Sequence, residues 1–146
     1  MELTFTNSDG KQVLLGDYFP AATTPGTRGK PTILALVYYR CPVACIAVKQ
    51  AILTAMNGLD YTVGDQYNML LFSIDPSEGP EQARAAKAGE LLQYNREITD
   101  SVRAGWQFHT GTMENNRALA NAIGWPYRLL PNGEYSHPVA IVVITP

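Results

Sequence analysis

The segment TILALVYYRCPVACI, residues 32–46, predicts the first structural unit of this chain. Residues 32–39 are apolar at nearly every position and rich in strand-forming side chains, as in a central parallel strand buried on both faces. The proline after Cys41 suits the first turn of a helix. Apolar residues then recur every four positions, at Ala44, Val48, Ile52 and Met56, before Gly58. We therefore predict a strand followed by a helix, with Cys41 at the helix N-terminus and Cys45 one turn inside it.

Buried strands and helices alternate along the rest of the chain. Strands are predicted at 3–6, 12–15, 32–39, 68–74, 106–110, 127–130 and 140–145, and helices at 42–58, 80–102 and 112–123. The first two strands form a hairpin around Ser8-Asp9-Gly10, residues 20–31 form a surface loop, and Ser77 caps the second helix. This order predicts one α/β domain over 1–146, with a mostly parallel sheet. We expect a further strand and helix, or another chain, to cover the last buried strand.

Composition and charge exclude several function classes. The 146 residues include 11 basic and 13 acidic side chains, so the net charge is 11 − 13 = −2 and predicts no nucleic-acid partner. No apolar run approaches the ~20 residues of a membrane span. The N-terminal residues do not form a secretion signal, so we expect a cytosolic chain or a leader or anchor outside this sequence. Two cysteines are too few for a disulfide scaffold.

The two cysteines therefore need a local explanation. Residues four apart on a helix have Cβ atoms roughly 5–6 Å from each other, which permits reversible oxidation. A disulfide that closes so short a loop stabilises little, so a purely structural bridge is the least favoured interpretation. The helix N-terminus and the neighbouring Arg40 both favour thiolate, the form that exchanges disulfides and binds metal. A redox pair and a metal site both remain open.

Two thiolates leave a metal site incomplete, so we searched for a third ligand. His137 precedes the last predicted strand, and the loop entering a strand beside the first can approach the first helix. Two thiolates and one imidazole suit copper, whereas zinc usually takes four ligands. Taken alone, His137 is more often a hydrogen-bonded loop residue, and His109 is interpreted as structural. Asp75 at a strand end is better explained by turn chemistry than by support of a metal.

Several segments together resemble the Sco/SenC family, thioredoxin-fold factors for cytochrome c oxidase assembly. The matching segments are YYRCPVAC (38–45), SIDP (73–76) with EGPE (78–81), GWQFHTG (105–111), LANAIGWPY (119–127) and YSHPVAIVVITP (135–146). They occur in the family's order and cover nearly the whole chain. The resemblance implies a thioredoxin-like, three-layer α/β/α fold with an N-terminal β-hairpin.

The resemblance also implies a function and a site. Cys41, Cys45 and His137 would bind Cu(I) or Cu(II), for delivery to the dinuclear copper centre of cytochrome c oxidase or for reduction of its thiols. The partner would be the oxidase's copper-bearing subunit or another copper chaperone. Family members face the bacterial periplasm, or alternatively the mitochondrial intermembrane space, from a membrane anchor that this chain lacks. They continue with a turn, strand and helix beyond the position of Pro146, so we expect a C-terminal truncation here.

Two positions depart from the family pattern. Many relatives carry an acidic residue that supports the metal a few positions after the Asp-Pro, and that place falls near Gly79 here. His109 stands where relatives commonly have Leu.

The main rival function is a thiol–disulfide oxidoreductase, with Cys41 attacking and Cys45 resolving, in which His137 would be dispensable. A thiol peroxidase, or a sensor that has lost copper delivery, are further alternatives.

Overall fold

A computed structural model describes residues 2–19, 29–40 and 44–145, except for the side chains of Ala44 and Cys45. Most of the predicted surface loop, and Cys41, lie outside the described residues. The strands are β1 (Thr4–Asn7), β2 (Gln12–Leu14), β3 (Thr32–Val37), β4 (Asn68–Ser73), β5 (Trp106–Thr110), β6 (Arg128–Leu129), β7 (Tyr135–Ser136) and β8 (Ile141–Ile144). The α-helices are α1 (Ala44–Gly58), α2 (Pro80–Leu91), α3 (Asp100–Gly105) and α4 (Met113–Ala122), and Leu15–Tyr18 form a 3-10 turn. Among the described helices, none has the length and apolarity to cross a bilayer.

Six strands form one mixed sheet in the order β2-β1-β5-β4-β3-β8. β3, β4 and β5 are parallel neighbours, and β1 joins β5 antiparallel as the inner strand of the predicted N-terminal hairpin. β4 is the central strand, and Met69, Leu70 and Leu71 have no exposed surface. This confirms the α/β class, the N-terminal hairpin and the buried parallel strands.

The sheet is mixed and not mostly parallel as predicted, since three of its five strand pairs are antiparallel, and the last strand also differs from its prediction in burial. β8 runs antiparallel to β3, with Ile141 opposite Ala35 and Ile144 opposite Thr32. Ile141 and Val143 are about half exposed, at 48% and 58%, so β8 is not a buried strand. Apolar composition cannot distinguish a central strand from an edge strand, because burial depends on what packs beside it.

The long helix predicted over residues 80–102 is wrong, because two helices replace it. α2 ends at Leu91, and α3 begins again at Asp100, where the Thr99 hydroxyl accepts the Val102 N–H. Between them, Tyr94 is buried and its hydroxyl accepts the Val63 N–H at 3.2 Å. These tertiary contacts override a sequence of good helix formers. The predicted cap Ser77 is also wrong, since the N-cap of α2 is Gly79.

The bounds of α4 and the position of β6 follow their predictions closely, whereas β7 was not predicted. Thr112 caps α4 by accepting the Asn115 N–H, and Gly124 ends the helix region with a φ of +67°. β6 and β7 then form a two-stranded hairpin whose turn contains Gly133, with a φ of +84°. This hairpin leads the chain back towards β3.

Candidate metal-binding site

The three predicted ligands are described to different extents. Cys41 lies outside the described residues. Cys45 falls in the first described turn of α1, and its side chain also lies outside the description. His137 is described fully, one residue after β7 and four residues before β8.

The antiparallel direction of β8 brings His137 to the carboxyl end of β3. Because Ile141 pairs with Ala35, the residues before β8 lie beyond the last residues of β3. Tyr38 follows β3 directly, and its ring meets the His137 imidazole edge-on, with centroids 6.1 Å apart. Cys41 follows Tyr38 by three residues. The fold therefore places His137 beside the backbone that leads into the cysteine segment.

The hydrogen bonding of His137 is compatible with metal ligation. Nδ1 lies 2.9 Å from the Pro138 carbonyl oxygen, which can only accept, so Nδ1 carries the proton. In the tautomer with the proton on Nδ1, Nε2 holds the in-plane lone pair. A protein histidine that ligates metal commonly donates its other N–H to a carbonyl or carboxylate in this way. Two cysteine side chains and an imidazole are donors of the types that suit copper, and within the described residues alone there is no group of three metal-ligating side chains.

A buried carboxylate holds the backbone immediately before Cys41. Glu78 has a side chain with no exposed surface, and it accepts the N–H groups of Tyr39 at 2.8 Å and Arg40 at 2.7 Å. The Ser73 hydroxyl donates to the same carboxylate at 2.5 Å. Glu78 fixes two consecutive peptide units next to the cysteine segment.

Arg40 directs its guanidinium to acidic and hydroxyl groups on the loop after β4. Its Nε lies 3.6 Å from Glu78, and its Nη2 lies 3.7 Å from Asp75 and 2.6 Å from the Ser77 hydroxyl. Asp75 also accepts the N–H and the hydroxyl of Ser77, which is the turn chemistry expected of it. Two carboxylates therefore balance the Arg40 charge. This weakens the sequence argument that Arg40 favours a thiolate at Cys41.

Tyr39 ties the same backbone to the neighbouring strands. Its hydroxyl donates to the His109 carbonyl at 2.8 Å and accepts the His109 N–H at 3.0 Å. The His109 ring is buried, donates Nδ1–H to the Leu71 carbonyl at 3.0 Å and accepts the Tyr18 hydroxyl at Nε2. Burial lowers the pKa of His109 to about 4, so the ring is neutral at pH 7. The structure thus agrees with the interpretation of His109 as structural.

Sequence patterns missed three residues that organise this region. Glu78 was part of the matching segment EGPE, 78–81, but was assigned no role of its own. Tyr38 was predicted only as a strand residue, and Trp125 was noted only as part of a segment that resembles the family. In the structure, Trp125 stacks on His137 with centroids 5.0 Å apart. The aromatic residues in GWPYRLLPNGEYSH, 124–137, were the available signal, but nothing in their spacing specifies which rings meet.

Comparison with solved structures identifies the fold of this chain, whereas comparison with family models and curated proteins finds no match. No protein-family model matches the chain, and no curated protein matches it. Among solved structures, a proposed electron transfer protein from Aquifex aeolicus VF5 superposes with a TM-score of 0.76 and 24% identity, over 97% of this chain and 73% of that one. Copper-bound ScoI from Arabidopsis thaliana gives a TM-score of 0.66 and 17% identity, over 99% and 80% of the two chains. The chain has the thioredoxin-like fold of the Sco/SenC proteins.

A second Sco/SenC structure extends this comparison to a lipoprotein. The SCO1/SenC family lipoprotein from Bacillus anthracis str. Ames gives a TM-score of 0.64 and 20% identity, over 99% of this chain and 76% of the other. The overlap with both Sco/SenC structures includes nearly all of this chain. Sequence identities of this size support the fold and leave the function to the site residues.

Proposed function

We propose that this protein is a copper-binding metallochaperone of the Sco/SenC type that uses Cys41, Cys45 and His137 as its ligands. The observation that supports this best is the position of His137 at the carboxyl end of β3, next to Tyr38 and the segment that leads to Cys41. Without that position the cysteines would be a redox pair with no third ligand. Solved structures with the same fold include copper-bound ScoI and copper-bound yeast Sco1.

Copper is the cargo in this proposal. Two thiolates and one imidazole bind Cu(I) and also accommodate Cu(II), and a partner can remove the ion by ligand exchange. We propose as partner the copper-bearing subunit of cytochrome c oxidase, or another copper chaperone. The protein would act on the periplasmic side of a bacterial inner membrane or in the mitochondrial intermembrane space.

Thiol–disulfide exchange through Cys41 and Cys45 is the second candidate. The observation that favours it is the structural similarity to the proposed electron transfer protein from Aquifex aeolicus VF5. In that function the cysteines would lose two electrons and two protons to a disulfide partner and return to thiols in the reverse step. His137 would have no required role.

A copper titration separates the two functions. The reduced protein is titrated anaerobically with Cu(I) against a competing chelator, and separately with Cu(II), for wild type, Cys41→Ser, Cys45→Ser and His137→Ala. Ser136→Ala is the control, because Ser136 is the exposed neighbour of His137. We expect one copper per chain, weakened in the three ligand variants and unchanged in the control.

Two results would contradict the metallochaperone function. The first is Cu(II) binding by His137→Ala that equals wild type. The second is disulfide-reductase activity that requires both cysteines and is unchanged in His137→Ala, in a protein that does not bind copper tightly. The second result would establish the oxidoreductase instead.

A further inference from the structure

His137 lies on a segment that has little structure of its own. β7 before it contains only Tyr135 and Ser136, and Pro138 and Val139 after it are exposed. The imidazole is nevertheless held by two rings from other parts of the fold. Trp125 stacks on its face, with centroids 5.0 Å apart and 24° between the planes, and the Tyr38 ring lies at 87° to it, with centroids 6.1 Å apart.

Trp125 is a fixed element of this arrangement. Its backbone N–H donates to the Ala120 carbonyl at 2.8 Å, which anchors it to the end of α4. Gly124 allows this return of the chain through its positive φ. The indole is only 3% exposed and packs within the hydrophobic core. It can therefore serve as a rigid surface for a side chain on a less regular segment.

We propose that Trp125 is a positioning residue that sets the plane of the His137 imidazole for metal binding, a role that rests on the proposed copper function. The lone pair of Nε2 lies in the ring plane, so the plane of the imidazole determines the direction in which it can bind an ion. Stacking by Trp125 contacts the face of the ring, so it constrains the ring plane. The hydrogen bond from Nδ1 to the Pro138 carbonyl fixes the remaining rotation.

Pre-organisation of this kind reduces the entropy lost when the ligand is immobilised. Stacked aromatic pairs are worth about 0.5–1.5 kcal/mol beyond their buried area, which corresponds to about twofold to tenfold in a dissociation constant. We expect Trp125→Leu to weaken Cu(II) binding by about that factor. Trp125→Phe keeps a ring on the imidazole face and should retain binding within about twofold.

The experiment combines affinity with a direct measure of stacking. Cu(II) affinity is measured by chelator competition in wild type, Trp125→Phe, Trp125→Leu and Trp106→Phe. Trp106 is the other tryptophan, fully buried against Tyr94 and Phe108, and controls for the loss of a core indole. In the metal-free reduced proteins, proton NMR measures the ring-current shift of the His137 ring protons. Trp125→Met, with a longer side chain, replaces the leucine variant if the latter does not fold.

We expect upfield-shifted His137 ring protons in wild type, loss of that shift in Trp125→Leu, and weaker Cu(II) binding in that variant only. Unshifted His137 protons in wild type would overturn the proposal. So would equal affinity in Trp125→Leu and wild type, or an equal loss in Trp106→Phe. Equal Cu(II) affinity in His137→Ala and wild type would refute the copper function instead, while the ring-current shift in wild type would still report the stacking.

Discussion

Replacing Glu78 with glutamine tests how the segment before Cys41 is held. The two carboxylate oxygens face different donors: Oε1 accepts from the Arg40 N–H, and Oε2 accepts from the Tyr39 N–H and the Ser73 hydroxyl. A glutamine has one oxygen and one NH₂ group. Whichever way the amide turns, its NH₂ faces a backbone N–H and leaves that partly buried donor without an acceptor.

The expected loss of stability follows from these contacts. An unsatisfied buried donor costs about 1–3 kcal/mol, and hydrogen bonds to a charged group are worth about 1.5–3 kcal/mol each. The contact with the Arg40 guanidinium adds less, because that side chain is 53% exposed. We therefore expect Glu78→Gln to lower the free energy of unfolding by about 3 kcal/mol. For a domain of this size that corresponds to a fall in Tm of about 10 °C.

Thermal and urea unfolding measure this loss, with Glu97→Gln as the control because Glu97 is exposed. Amide hydrogen exchange adds a local readout, since the Tyr39 and Arg40 N–H groups should exchange faster in Glu78→Gln than in wild type. A change in Tm no larger than that of the control, with unchanged exchange at both amides, would refute this account of Glu78.

Two buried titratable groups make opposite predictions for the pH dependence of stability. Burial raises the pKa of Glu90 to about 7, so stability falls as pH rises from about 4.5 through 7. Glu90→Gln should therefore be more stable than wild type by about 3 kcal/mol at pH 8, and not at pH 4.5. Urea unfolding at the two pH values checks this, and an equal gain at both contradicts it. Burial lowers the pKa of His109 to about 4, so between pH 6.5 and 4 the unfolded chain binds more protons than the folded chain. The free energy of unfolding therefore falls by about 3 kcal/mol as pH is lowered from 6.5 to 4. The stability difference between wild type and His109→Gln should shrink as pH falls from 7 to 4, and a constant difference would show that the ring does not contribute this slope.

Local patterns predicted most of the elements, because their causes are local. The apolar run at 32–39 produced β3, the four-residue apolar spacing produced α1, and the threonine and glycine around 112–124 bounded α4. The failures occurred where distant contacts decide. Tyr94 interrupts the predicted second helix by its hydrogen bond to Val63, and no property of residues 80–102 reveals that bond.

The candidate site divides in the same way. Its cysteines and histidine were identified from residue type and spacing, and their joint role as copper ligands remains a prediction. The residues that support them were not identified. Glu78 holds the backbone of Tyr39 and Arg40, which lie 39 and 38 residues before it in the sequence. Trp125 contacts the ring of His137, which lies 12 residues after it.

By itself, the sequence determined which chemical groups are available: two cysteines four residues apart, one histidine before an apolar strand, and strands and helices in alternating order. Only the tertiary structure decided that β8 runs antiparallel to β3. That direction decides the site, because a parallel β8 would place its first residues, and His137 with them, at the opposite end of β3 from Tyr38 and the cysteine segment. Strand direction arises from how the chain returns after α4 and packs on the sheet, and residue composition does not encode it locally.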